Sequence, residues 1–126
     1  MDRNTDSAFS RNLPFSLEAE QSVLGSILID PNCFTEVATI LKSEDFYIDE
    51  HTQIYLAMQE LFLQSREIDL VTLIDMLTVR GVYKNDEDGK KYIKVIASVV
   101  PTASNVKDYA AIVRDKSILR QLIGVC

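Results

Sequence analysis

Apolar side chains recur at helical spacing along nearly the whole chain. Val23, Leu24, Ile27 and Leu28 share one face, the stripe of an amphipathic helix. Pro14 and Ser16 prepare its start, and Glu18 and Glu20 lie in its first turn, where negative charge suits the helix dipole. Gly25 sits inside the stripe and predicts close helix packing rather than a ligand role. Asp30-Pro31 joins a carboxylate cap to a proline at the first helical position. Phe34, Val37, Ala38 and Leu41 follow at i, i+3, i+4 and i+7. Lys42 to Asp45 breaks the pattern, and Phe46-Tyr47 supplies an apolar plug. A third helix begins near Asp49, with Ile54, Tyr55, Met58, Leu61 and Phe62 on its face. Asp69 caps a fourth, carrying Leu70, Leu73, Ile74 and Leu77. Gly81 is placed to stop it in the left-handed conformation, with Val82 folding back on Leu77. After an acidic loop, Tyr92, Ile93, Ile96, Val99 and Val100 form a fifth stripe that Pro101 ends. Its β-branched density does not make a strand, because no partner strand is legible elsewhere.

The last helix is the longest, capped by Thr102, Ser104 or Asn105. Its stripe opens with Val106, Tyr109, Ala110 and Val113 and continues with Ile112, Leu119 and Ile123, while Ile118 and Leu122 widen it. One apolar face is enough to dock on a small core. A second flank predicts that another helix, from this chain or a partner, packs there. The pattern runs to within a turn or so of Cys126, so the chain is expected to be part of a longer protein. The expected fold is all-α. A loose polar tail over 1–12 precedes a helical head of about five short helices over 13–104, and a long helix over 105–126 leaves it.

Composition narrows the chemistry. The 126 residues are 47% apolar and 25% charged, ordinary values for one globular domain without disulfides or metals. Thirteen Lys and Arg against 19 Asp and Glu leave a formal charge of −6, a poor basis for a surface that grips phosphates. Cys33 and Cys126 are the only cysteines, so no disulfide framework is signalled and a reducing, cytoplasmic setting fits. No apolar run approaches the about 20 residues that span a bilayer, and the polar opening of the chain is no secretory signal.

The four glycines, Gly25, Gly81, Gly89 and Gly124, form no G-x-x-x-x-G-K-[ST] loop; a nucleotide-hydrolysing site within the chain is not expected. His51 is the only histidine, beside Asp49 and Glu50 at a helix start. It reads as a surface group, without the partners of a nucleophilic relay or a zinc set. Lys84 to Gly89 imitates a calcium loop. Aligning Gly89 with the sixth position puts Lys84 and Val95 where carboxylates are required, so it reads as a solvated acidic turn. Asp69 and Asp75, six apart on one helix, do not face each other as an acid–base pair.

The ordered motifs resemble the DnaB family, specifically the N-terminal domain of the bacterial replicative DNA helicase. Glu18-Ala19-Glu20-Gln21-Ser22-Val23-Leu24-Gly25 is similar to the family's opening E-A-E-x-x-V-L-G, and Asp30-Pro31 follows at the expected distance. Glu44-Asp45-Phe46-Tyr47, then His51 and Ile54-Tyr55, resemble D-F-Y…H…I-[FY]. Ile68-Asp69-Leu70-Val71-Thr72 with Leu77 resembles I-D-x-V-T…L. Val100-Pro101-Thr102-Ala103 with Asn105-Val106, Tyr109-Ala110, Ile112-Val113 and Leu119 to Ile123 resembles the closing block. Each piece is weak alone; the order from about Pro14 to Ile123 is specific. The chain departs at Asp88-Gly89-Lys90-Lys91, where the family carries a double glycine. One glycine is expected to preserve a turn there, with aspartate capping the next helix.

The resemblance implies a domain without motor chemistry. ATP and magnesium would belong to a RecA-like motor domain downstream, and no cofactor is expected here. It implies pairing through helical hairpins into a collar, a trimer of dimers on a hexameric ring, with the last helix as first arm and the second arm missing. Ile112, Leu119, Leu122 and Ile123 are then the self-association residues. The implied partners are primase, for which Tyr92 and Ile123 are the docking candidates, and in some systems a helicase loader. DNA would be met only through the ring, and no membrane is involved. A different class, an acidic helix-turn-helix module, would use Leu70 to Arg80 as recognition helix. Its one base-reading cation, Arg80, and the −6 charge argue against it.

Overall fold

A computed structural model describes residues 13–124. The tail expected over 1–12, and Val125 and Cys126, lie outside the described residues. Six α-helices appear: α1 (Leu17–Ile29), α2 (Phe34–Ala38), α3 (Asp49–Leu63), α4 (Leu70–Val79), α5 (Asp86–Ala97) and α6 (Val106–Leu122). Short 3-10 turns cover Pro31–Cys33 and Ser43–Asp45. The all-α expectation holds, and the described residues contain no strand.

Local chemistry sets most of the boundaries. The Ser16 side chain accepts from the Ala19 N–H and starts α1. Asp30 caps the turn that leads into α2. Asp69 and Thr72 satisfy each other's backbone N–H groups at the start of α4, a reciprocal cap. At its end Gly81 takes φ +80°, its N–H bonds to the Thr78 carbonyl, and the Val82 N–H bonds to Leu77. That is the paired closure a left-handed residue permits. Ser65 closes α3 in the same way, at φ 57°.

α1 is the spine. α3, α5 and α6 all pack on it, while α4 bridges α3 and α5. Val23, Leu24, Ile27, Phe34, Val37, Leu41, Ile54, Met58, Leu61, Leu73, Leu77, Ile93 and Ile96 form the core. Ala38 and Phe62, expected inside, are exposed. Gly25 is where α5 comes closest: a Cβ there would lie 2.4 Å from the Ile96 carbonyl oxygen.

Two expectations are corrected. Asp86, Glu87 and Asp88 form the first turn of α5 rather than a loop, capped by Asn85, whose side chain accepts from the Asp88 N–H. Three carboxylates at a helix N-terminus are favoured by the dipole. Gly89 is therefore no turn residue; it is buried within α5, where a Cβ would meet the Tyr83 ring at 3.1 Å. The second correction concerns α6, which lies along the head instead of leaving it.

Tyr55 is fully buried, and its hydroxyl donates to the Leu41 carbonyl at 3.0 Å. Burial, and then the Asp45 carboxylate, push its pKa up to about 12. Unfolding frees the phenol to ionise near 10. Its contribution to stability is thus whole below pH 10 and lost as pH rises from 10 through about 12. The melting temperature should fall across that window, and Tyr55→Phe should flatten the fall while lowering stability at neutral pH. Equal alkaline slopes in both proteins would refute this assignment.

Candidate functional site

The last helix has two characters. Val106, Ala110, Val113, Ser117 and Arg120 turn into the head, at i, i+4, i+7, i+11 and i+14. The opposite side carries uncovered apolar residues: Ile112 is 41% exposed, Leu119 44%, Leu122 78% and Ile123 52%. Ile112, Leu119 and Ile123 fall on one row. Leu122 belongs to a second row with Ala111 and Ile118, and Asp108 and Asp115 run between the two. The four residues expected to associate are all uncovered, but not on a single stripe. Leu119 and Ile123, read as a continuation of the docking face, lie outside it.

A polar clasp explains the difference. Asp45 is buried at the end of its 3-10 turn. Its carboxylate accepts from Ser117 Oγ at 2.7 Å, Arg114 Nη1 at 3.0 Å and the Lys42 N–H at 2.8 Å. Its carbonyl accepts from Arg120 Nη2 at 2.8 Å, and Arg120 Nη1 reaches the Pro14 carbonyl at 2.9 Å. The guanidinium also lies over the Tyr47 ring, 5.1 Å from its centroid, and that ring stacks on Phe15. Buried polar groups hold position only when paired; here each has a partner, so the second half of α6 is held down by Ser117 and Arg120 while its leucines and isoleucines are left free.

A second buried network joins α1, α3 and α5. Glu20 accepts from the Tyr47 N–H at 2.7 Å and the Ile48 N–H at 3.3 Å, at the head of α3, and meets His51 Nδ1 at 2.8 Å. His51 Nε2 lies 2.6 Å from the Tyr92 hydroxyl, which Gln21 Nε2 approaches at 3.1 Å. A carboxylate only accepts, so the Nδ1 proton faces Glu20, and Nε2 shares a hydrogen bond with the Tyr92 hydroxyl. Burial, with Glu50 and Glu20 nearby, raises the Tyr92 pKa against the opposing Gln21 hydrogen bond, which keeps the phenol a donor. Tyr83 is raised likewise by burial and by its hydrogen bond to Glu50. His51 is therefore no surface group: it is wholly buried and ties three helices.

Tyr92 is half-buried with its hydroxyl turned inward, whereas Ile123 lies exposed at the end of α6. Both of their helices pack on α1. Asp45, Ser117, Arg120, Glu20 and His51 were not singled out as functional from the sequence. The signal for three of them was present: Ser117 and Arg120 continue the heptad-like row of Val113, and Glu20 precedes Val23, Leu24 and Ile27 at three, four and seven. A polar residue on an apolar row is either an error of facing or a buried network.

Among the described residues these features define an all-α domain whose last helix leaves a set of apolar side chains uncovered. The model of the DnaB-like helicase N-terminal domain matches residues 12–115. The chain belongs to that family. It is 43% identical over 112 residues to the replicative DNA helicase DnaB of Pasteurella multocida, covering 89% of this chain and 24% of that protein. To the replicative DNA helicase DnaC of Bacillus subtilis it is 41% identical over 119 residues, covering 94% and 26%. The chain thus spans about a quarter of the length of these relatives. The crystal structure of the N-terminal domain of DnaB helicase from Mycobacterium tuberculosis superposes with a TM-score of 0.83 at 37% identity, over 88% of this chain and 76% of that one. Among the described residues no helix is long and apolar enough to cross a membrane.

Proposed function

We propose that this chain is the assembly and docking part of a cytoplasmic replicative DNA helicase, and that it carries no reaction itself. ATP and magnesium would act in a motor domain elsewhere in the longer protein, and DNA would be met only through the assembled ring. The observation that carries the reading is the row of Ile112, Leu119 and Ile123, uncovered on a helix whose other face is clasped down. A monomer gains nothing by holding such a row rigidly in water. Another helix, the second arm of a hairpin or a neighbouring copy's, would bury it at about 25 cal/mol per Å². Primase, and a loader where one exists, would dock on the globular head and at the root of the hairpin, with Ile123 and Tyr92 as contacts. For Tyr92 the reading requires the exposed ring edge, since its hydroxyl serves the buried network.

Sedimentation of this chain beside one extended through the segment that follows in its reading frame tests the assembly claim. The longer chain should form dimers and larger species at concentrations where the shorter is mainly monomeric. Equal association of the two would end the hairpin argument. The alternative helix-turn-helix reading has little to stand on: the exposed side of α4 presents Val71, Asp75 and Val79, with Arg80 only at its C-cap.

A further inference from the structure

Two stretches from opposite ends of the chain are fastened to each other outside the core. From α6 the core takes Val106, Ala110 and Val113, with Tyr109 packed against it; among the described residues it takes nothing later. The buried residues of α6 beyond Val113 are Ser117 and Arg120. The seat of α6 therefore changes at Val113 from apolar to polar. Leu13 to Ser16, the strap that leads into α1, is half-buried and adds nothing to the core, which begins at Ala19. Tyr47 lies outside the core as well. Arg120 joins these pieces. It bonds the Pro14 carbonyl, 106 residues away in sequence, and the Asp45 carbonyl, and it covers the Tyr47 ring. That ring stacks on Phe15 with centroids 4.6 Å apart. Two acceptors and one aromatic face suit the planar fork of a guanidinium and not an ammonium.

We infer that the strap Leu13–Ser16 and the end of α6 from Arg114 to Ile123 form one latch, pinned by Arg120, that seats and releases as a unit while the core stays folded. Arg114 and Ser117 belong to it through the Asp45 carboxylate. Segments with few buried apolar contacts open locally, below the free energy of global unfolding. Release here breaks polar bonds that water replaces and leaves Val106, Ala110 and Val113 packed. Coupling within one unit is reciprocal. Whatever grips the strap steadies Leu119 and Ile123, and whatever seats the end of α6 orders the strap. The latch does not depend on the proposed helicase role.

The test is native-state hydrogen exchange of the 15N-labelled chain in sub-denaturing urea. Amides from Ser117 to Leu122 should share one opening, about tenfold or more as frequent as that of Val113 and of the core positions of α1, α3 and α4. Phe15→Ala alters nothing within α6, yet it should quicken those amides by about threefold or more, with α3 and α4 unchanged. In the other direction, Arg120→Met should quicken the Ala19 N–H, which the Ser16 side chain caps at 3.1 Å. Arg120→Lys should do so less. Should Arg120→Met fail to fold, Phe15→Ala decides alone. Graded fraying, each α6 amide faster than the one before it, would overturn the inference. So would α6 exchange unaltered by Phe15→Ala, or equal quickening in α3 and α4.

Discussion

Replacing Gly25 by alanine or valine should lower the melting temperature, by roughly 5–10 °C for alanine and more for valine, although either residue is a better helix former than glycine. Two effects oppose each other. Alanine gains about 1 kcal/mol in intrinsic helix propensity. Against that, its Cβ would stand 2.4 Å from the backbone oxygen of Ile96, and a backbone oxygen inside α5 cannot swing aside as a side chain can. α1 and α5 must separate by roughly half an ångström or more along the spine of the domain. Overpacking of this kind costs about 1–3 kcal/mol even where side chains can adjust, so the clash wins. Gly89→Ala is the control, since its Cβ would meet only the Tyr83 ring at 3.1 Å, and it should cost much less. Thermal unfolding by circular dichroism decides it; a Gly25→Ala protein as stable as the parent would show that the helices do not approach as described.

The second large effect falls on Asp45. Asp45→Ala removes the acceptor of Ser117, Arg114 and the Lys42 N–H at once and leaves Ser117 and that N–H without a partner. Breaking a buried pair costs about 3–5 kcal/mol. Arg114 is partly exposed, so screening places the loss near the lower bound. Asp45→Asn keeps the size and one acceptor oxygen and should cost about half as much. The location of the damage is more telling than its size. Hydrogen exchange should quicken first in α6 from Arg114 onward, while α3 and α4 keep their protection. Uniform loss of protection across all helices would mean that Asp45 serves the whole core and not the seating of α6.

Helix positions were largely legible in the sequence because their signals are local. Asp69 with Thr72, and Gly81 with Val82, state a start and a stop within a few residues, and both are found in place. The acidic run at Asp86 was misread because charge suggests a loop, whereas here it lies where the α5 dipole favours it. The direction in which α6 faces was half legible. Its exposed apolar flank could be seen, but the docking face could not, because Ser117 and Arg120 become interior residues only once Asp45, distant in sequence, is brought to them. His51 failed for the same reason: its partners Glu20 and Tyr92 come from two other helices. Pairings that complete a polar group across long sequence separation leave no periodic trace.

The family resemblance reached the identity of the domain where single motifs could not. Several of the positions that carried it, Glu20, Asp45, His51 and Asp69, prove to be capping or buried polar groups that set the geometry of the head. They position the surfaces on which assembly would rest; none is itself on the exposed row of α6.

The proposed role of this row is to join protomers. It is tested most directly by sedimentation equilibrium of the longer parent protein carrying Leu119→Glu and Ile123→Glu together. Both side chains are outside the core of the head, so the melting temperature of the isolated chain should stay within a few degrees of the parent. The doubly substituted parent should fall apart into smaller species at concentrations where the unsubstituted protein remains assembled. Intact assembly with both charges in place would contradict it.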